Sequence, residues 1–573
     1  MVKKIFLVCV ISVLCINLSF AQVDFNKQYF NAKTLFREGK YNLAMESFKP
    51  LTQYDQNNVF TEYASFYYAL SAYNLNFKAV SKDAFTQLKT LHPKWEKMDE
   101  VNFWLGKIQL ENKEYFVGLK TLTLITDKKL QKDVDQVKRN ALRDITDLET
   151  LRRINIEYPK DEIVATYLAI ALSKNTVDPN NLAQLEAIIG TFGFKKSDFI
   201  PEAPKTVHKD VYSVSALLPL MVSTLDPSPS MKRNQNVLDM YEGMKLAVDT
   251  LSKQGIKLSL RAYDTERSND KIKTILATEE LKNTDLIVGP FFQEENKFIQ
   301  EFSLNNKINV FNPVSNNAEL IAGNPYAFLY QPSFEVIGKK SGEFLAGYAK
   351  KKNCIVYYGT SKRDSILAAN FNQTASENGL RILSSNRLSR ENFGKVLTML
   401  ATPTEYDEFH YPKQFTLKKD SLGSIFVASD DALIYAKVLS SIETRKDSVI
   451  VLGSEAWLDQ AVVDAGKYQT LPVVLASPNF SSSDNAYLKA FTKKFVKTHG
   501  RAPTTYAKYG YEFMLFVGHQ LKKNGVYFQE GLSATNFIPG YLTEGYNFQF
   551  SRDNQLIPFV RFKNGKRVVI EKR

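Results

Sequence analysis

The chain is short of the residues that cross-link, ligate metals or move protons. Of 573 residues, 3 are cysteine, 5 histidine and 3 tryptophan. Cys9 and Cys15 fall within the first 21 residues, so Cys354 stands alone in the remainder. One thiol makes no intramolecular disulfide, and the fold must rest on its cores rather than on staples. The histidines, His92, His208, His410, His499 and His519, form no zinc-type pair, and a lone cysteine completes no metal site. A Gly-rich phosphate loop with its lysine is missing, as is a Gly-x-Ser-x-Gly elbow. No metal, no cofactor and no catalytic residue is expected, and the chain reads as a non-enzyme. After residue 21 no stretch reaches 18 consecutive apolar residues, near the ~20 that a membrane-spanning helix needs. Blocks of five or six like charges are also lacking, so the net charge of +13 describes scattered lysines and no nucleic-acid patch. Such a surface leaves peripheral association with an anionic cell envelope open.

What is present starts with residues 1–21. Lys3 and Lys4 precede the apolar run Ile5–Ile16, and the small residues Ser19 and Ala21 stand two apart behind it. A basic start, a short apolar core and a small-residue cleavage site make a Sec signal peptide. A lipid-modified cysteine follows a small residue, but Val8 precedes Cys9 and Leu14 precedes Cys15. A free periplasmic protein is therefore expected rather than a lipoprotein.

Residues 27–127 repeat with a period of 37. Small residues recur at Ala32, Ala69 and Gly106, and at Ala44, Ser81 and Gly118. Bulky ones recur at Phe30, Tyr67 and Trp104; at Phe36, Tyr73 and Leu110; at Phe48, Phe85 and Leu122; and at Leu51, Leu88 and Ile125. Within a copy these positions have helical spacing on both sides of a break at Gly39–Lys40. The small residues let two helices approach, and the bulky ones fill the groove between successive pairs. Such a pair cannot bury its own apolar face and must stack on the next. The segment resembles tetratricopeptide repeats, with a period of 37 in place of that family's 34. Stacked repeats offer a concave surface for a protein partner, or merely position the next domain. Further helices are expected around Val134–Ile156, Glu162–Ser173 and from Asp178 to Ile189, with a linker around Gly193–Asp210.

From Val211 short β-branched runs alternate with amphipathic helices. Strands are expected at Val211–Leu217, Lys257–Tyr263, Leu286–Val288, Val310–Phe311, Ile355–Tyr358, Ile425–Val427, Val449–Leu452 and Val473–Leu475. Alternation of this kind makes parallel sheets covered on both faces, and some 360 residues imply two lobes. The order of Val214–Pro219, Tyr241-Glu242-Gly243-Met244, Ala262-Tyr263-Asp264, Leu286-Ile287-Val288-Gly289-Pro290, Ile308–Pro313, Phe491–Phe495 and Gly510-Tyr511-Glu512 resembles the type I periplasmic binding proteins, in the branch that takes leucine and other amino acids. A tail hairpin fits as well: Phe548–Phe550, a Ser551–Asn554 turn, Phe559–Phe562 and an Asn564-Gly565 turn. Asp430 reads as a helix N-cap.

The expected fold class is thus an α/β two-lobed, periplasmic-binding-protein-like domain of helix-flanked parallel sheets, preceded by an all-α helical-repeat (TPR-like) domain. The divisions are a signal peptide at 1–21, repeats at 22–200, a linker at 201–210 and the two-lobed domain at 211–573. The resemblance implies a hinged cleft that closes over a small polar ligand. It implies a hydroxyl-rich first-lobe rim for the ligand's carboxylate, where this chain has Gln293, Ser315 and Asn316. It implies a second-lobe site for the ammonium, where this chain has Glu455 beside Ser361, Arg363 and Asp364. Only Glu455, in Gly453-Ser454-Glu455, matches its counterpart well. A closed cleft would require Glu455 to be paired by Arg363 or by a ligand. Joining repeats to such a domain is also similar in architecture to the penicillin-binding protein activators, which stimulate cell-wall synthases and are lipid-anchored. Two functions follow: a periplasmic adaptor that regulates envelope machinery by protein contacts, or a solute-binding protein of a transporter for amino acids or another small polar ligand.

Overall fold

The computed structural model describes residues 24–174, 179–199, 205–222, 234–460 and 462–570. The expected signal peptide, Asp178 and the first four residues of the expected linker lie outside the described residues. Contacts divide the chain into two compact units. One runs through Leu172 and takes in Ala187–Lys195; the other holds Ser173–Glu186 and everything from Lys196 onward.

The first unit is built of helix pairs: Phe25–Arg37 with Tyr41–Phe48, Thr61–Asn74 with Lys78–Leu91, and Met98–Glu111 with Tyr115–Leu122. The period of 37 appears in the backbone as well as in the side chains. Gly39, Asn76 and Lys113 all take the left-handed conformation, at φ 75, 62 and 63°. In each copy the amide just beyond reaches back to close the helix end, Lys40 to Leu35, Phe77 to Ala72 and Glu114 to Gln109, at 2.8–3.0 Å. This is a repeated Schellman cap, and it turns the chain into the second helix. Ala32, Ala44, Ala69 and Ser81 are fully buried, and the Ser81 hydroxyl donates to Ala69 O at 2.7 Å. A Cβ at Gly106 would lie 2.7 Å from the Leu122 side chain, and one at Gly118 would lie 2.8 Å from that of Leu110. Tyr67 stacks on Phe48 and meets Phe36 edge-on, so it does fill the groove between copies. Phe30 departs from its column: 53% of it is exposed, with no helical pair described before it to cover it. The stretch expected as one helix at Val134–Ile156 is two, Gln131–Arg143 and Leu148–Glu157, because Asp147 caps the second by accepting from Thr150 N.

The second unit contains two helix-flanked sheets. Five parallel strands, β1 Val211–Leu218, β2 Lys257–Asp264, β3 Leu286–Val288, β4 Asn309–Asn312 and β5 Ala327–Leu329, lie in the order β2-β1-β3-β4-β5. The other sheet has β6 Asn353–Tyr358 and β7 Arg381–Arg387 at one edge. A small separate hairpin follows, β8 Pro403–Tyr406 with β9 Pro412–Phe415. The sheet then continues through β10 Ser424–Ala428, β11 Ile450–Ser454 and β12 Val473–Ala476. The pair β13 Ile538–Pro539 and β14 Gly545–Tyr546 belongs to the first lobe's side, and antiparallel β15 Phe559–Lys563 and β16 Lys566–Val569 complete the second sheet beside β12. The eight expected strands all form. β5 has only three residues, and β7 alternates between exposed and half-buried positions as an edge strand does, so neither stands out as an apolar run.

Two expectations fail locally. Phe548–Phe550 is not a strand: Phe548 enters the first lobe's core, and Phe550 turns the chain at φ 53°. The N-cap of helix Ala432–Arg445 is Asp431, which accepts from Leu433 N at 2.9 Å, and Asp430 is thereby left to face the cleft. The Asn564-Gly565 turn does join β15 to β16, with φ positive at both residues as a type I′ turn requires.

Helix Gln235–Lys253 crosses helix Thr505–Asn524 at a point where both carry glycine. A Cβ at Gly243 would lie 2.0 Å from Ala507 O, and one at Gly510 would lie 2.0 Å from Met240 O. The two backbones touch, which fixes the helix that lines the cleft. Residues 205–210 are docked on this unit: Thr206 Oγ1 donates to Asn524 O and Val526 N donates to Val207 O, at 2.7 and 2.9 Å.

Candidate functional site

Three chain segments pass between the lobes: Tyr330–Ser333 after β5, Ser477–Asn485 after β12, and 549–558 before β15. Hydrogen bonds lace them together. Gln331 and Asn479 exchange side-chain amide bonds at 3.0 and 2.8 Å. Ser333 N donates to Asp553 Oδ1 at 3.0 Å, Leu329 N to Arg552 O at 3.0 Å and Ser477 N to Pro558 O at 2.9 Å. Asp553 and Arg552 are both buried here. Loss of water pushes the Asp553 carboxyl up to about 7 against the opposing bonds from Ser333, and brings the Arg552 guanidinium down to about 10. The Arg552 guanidinium is held by the carbonyls of Ile321 and Asn324.

Beside this hinge lies a cleft of about 770 Å³. Its second-lobe wall carries Arg363, Asp430, Glu455, Asp459 and Arg567, from loops at the C-terminal ends of β6, β10 and β11 and from β16. Its first-lobe wall carries Asn316, Tyr506, Lys508, Tyr509, Glu512 and Thr543. Placement at the C-terminal strand ends is the rule for open α/β sheets.

Asn316, Arg363 and Glu455 come together on this cleft as the sequence suggested, but in roles that differ from those implied. Glu455 is not paired by Arg363. Its carboxylate accepts from the Ser477 hydroxyl and from Asn479 N at 3.4 Å. Burial holds its pKa above the usual carboxylate range, with those two bonds and the Arg567 charge opposing. Arg363 instead makes an ion pair with Asp430 and lies over the Phe334 ring at 5.4 Å. Asn316 spends its side-chain amide on Pro332 O at 2.6 Å. Ser315 does not line the cleft: its hydroxyl accepts from Asn317 N at 3.2 Å and closes a local turn. Asp364 is buried under the loop, where a Cβ on Gly359 would lie 2.3 Å from its Oδ2. Gln293 opens the helix Gln293–Asn306, and its side chain lies outside the described residues.

Sequence reasoning missed Glu512. It is buried, and it accepts from Tyr541 N, Leu542 N and the Tyr546 hydroxyl at 2.7–2.8 Å, and from the Thr543 hydroxyl at 3.2 Å. One carboxylate thus shapes the loop that presents Leu542 and Thr543 to the cleft. Burial raises its pKa and these four donors pull it back. Tyr506 and Tyr509 were also missed, although their i, i+3 spacing at a helix start puts both on one face. Among the described residues no group of His, Cys, Asp and Glu could hold a metal ion.

Neither a protein-family model nor a curated protein matches the chain. Solved structures do. A putative branched-chain amino acid ABC transporter protein from Rhodospirillum rubrum aligns over 63% of this chain and 100% of its own, at 16% identity and TM-score 0.50. An ABC transporter substrate-binding protein from Desulfitobacterium hafniense in complex with Leu aligns over the same shares at 18% identity and TM-score 0.43. Full-length LpoA from Haemophilus influenzae aligns over 97% of this chain and 96% of its own, at 11% identity and TM-score 0.43. At such identities a likeness speaks of fold alone. The second unit has the two-lobed, helix-flanked fold of the type I periplasmic binding proteins, and a helix-rich repeat region precedes it.

Proposed function

We propose that the protein is a non-enzymatic binding and adaptor protein that works outside the cytoplasm, in the periplasm, and regulates cell-envelope machinery through protein contacts. The observation that carries this reading is that the three cleft residues expected to hold a ligand already have partners within the chain. Arg363 is neutralised by Asp430, Glu455 is met by Ser477 and Asn479, and Asn316 is tied to Pro332. A free amino acid that was to be held by Arg363, Glu455 and Asn316 would have to break these contacts first. The repeats supply the protein-binding face. Leu43, Val80 and Val117 are exposed apolar residues one period apart on the second helix of each pair. An apolar stripe in register with the repeat suits an extended partner.

A second reading, a solute-binding protein, draws on one feature: a partly buried Glu455 at a cleft of about 770 Å³, well within the usual size for a ligand site. A thermal-shift screen of free amino acids and cell-wall fragments tests the two, with Glu455→Ala as control. The adaptor reading expects no shift from any amino acid. A ligand at about 100 times its Kd adds ~2.7 kcal/mol of stability. A rise of a few degrees that Glu455→Ala abolishes would establish solute binding instead.

A further inference from the structure

Between β7 and β10 the chain leaves the second sheet and forms the β8–β9 hairpin. Residues 404–411 are exposed without interruption. Three of them are large aromatics: Tyr406, Phe409 and Tyr411 are 58, 71 and 67% exposed. Exposed loops of this length are ordinarily polar and loose, and this one is neither. Asp407 Oδ1 accepts from the amides of both Phe409 and Tyr411, and Asp407 N donates to Tyr411 O, at 2.8–3.0 Å. The tip is therefore locked by its own turn. The base is locked from below. Arg445 is fully buried, and it donates to Leu400 O and Leu417 O at 2.8 Å and to Lys418 O at 3.3 Å. These carbonyls flank the two legs of the hairpin. Asp447 neutralises the guanidinium, and the Phe415 ring lies 5.2 Å beneath it.

We propose that the hairpin Pro403–Phe415 is a docking knob for a second protein, which it engages at a basic, Arg- or Lys-bearing surface segment. Clustered exposed rings mark an interaction surface, and a rigid presentation lowers the ordering cost of binding. The charge selects the partner. The hairpin Pro403–Phe415 holds three carboxylates, Glu405, Asp407 and Glu408, against one lysine, Lys413, on a chain whose net charge is +13. Carboxylates beside tyrosine faces suit cationic side chains, which pair with the acids and lie over the rings. Anionic lipid and nucleic acid are repelled by the same three groups. The knob stands apart from the cleft, so it survives whichever reading of the cleft holds.

The test places a photo-reactive benzoylphenylalanine at position 409 of the full-length chain in its native cells, with the exposed Leu433 position as control. Cross-linked peptides are mapped by mass spectrometry. The expected result is an adduct with another protein, within a segment carrying Arg or Lys. That segment, made as a labelled peptide, binds the purified full-length chain. Tyr406→Ala combined with Tyr411→Ala weakens binding at least tenfold, and Glu405→Gln with Glu408→Gln weakens it about fivefold and flattens its salt dependence. Melting temperatures of these surface variants stay with the parent's. Adducts with lipid, glycan or a second copy of this chain overturn the proposal. So do adducts at an acidic segment, no adduct above the control position, or a peptide affinity indifferent to the substitutions.

Discussion

Single residues decide what the hinge and the cleft can do. Asp553 illustrates the electrostatics. Its folded-state pKa of about 7 lies above the 3.8 of an ordinary aspartate, because burial penalises the ion more than the Ser333 bonds favour it. The folded protein therefore holds a proton there that the unfolded chain has released between those values. Stability from this group is fully present at low pH and is lost as pH rises through about 7. Asp553→Asn keeps the acceptor for Ser333 N and removes the ionisation. The variant should fare better relative to the parent at pH 8 than at pH 5, read as the difference in melting temperature. A constant difference would mean that Asp553 does not titrate in this range. Cys354 is explained at the same scale: it is buried, its thiol is pushed up to about 12, and no second cysteine is within the described residues.

Elements are decided by backbone constraints that recur. Gly39, Asn76 and Lys113 occupy one left-handed turn position in three copies. Glycine adopts it freely, whereas lysine carries a steric cost of ~1 kcal/mol. Lys113→Gly should raise the melting temperature of the repeat unit slightly, by the equivalent of up to about 0.5 kcal/mol after the added freedom of the unfolded chain is counted. Gly39→Ala should lower it. The helix crossing at Gly243 sets two effects against each other. Alanine is the better helix former by ~1 kcal/mol. Its methyl would meet Ala507 O at 2.0 Å, and Ala507 O is backbone that cannot rotate away. Overpacking of this kind costs ~1–3 kcal/mol or more, so Gly243→Ala should destabilise, and chemical denaturation will show a lower midpoint. These positions were partly legible in the sequence. The small-residue columns announced close helix approach, because only a residue without bulk fits there. The contacts of Gly243 with Ala507 and of Gly510 with Met240 were not legible, since the partners are far apart in the chain and each lies in an ordinary helix.

At the scale of the whole molecule, each unit has apolar clusters of its own. The cores built on β1, β3 and β4 and on β6, β10 and β11 draw only on the second unit, and the repeat cores only on the first. A fragment of residues 173–573, which keeps Ser173–Glu186 with its unit, should therefore melt cooperatively when expressed alone, as followed by circular dichroism. A broad, non-cooperative melt would show that it depends on the repeats.

Periodicity and strand–helix alternation are local properties and could be read along the chain: the helical pairs, the eight core strands, the Asn564-Gly565 turn and the two-lobed class all follow from residue type at short spacing. Pairing across the cleft is not local. Whether Arg363 meets Glu455 or Asp430 depended on which aspartate capped the following helix, a choice between neighbours that spacing leaves equal. The carboxylate of Glu512 found its four donors on a loop some thirty residues away. These contacts come from folding at long range, because a buried charge takes whatever partners the fold brings within hydrogen-bond reach, and spacing along the chain does not encode that distance.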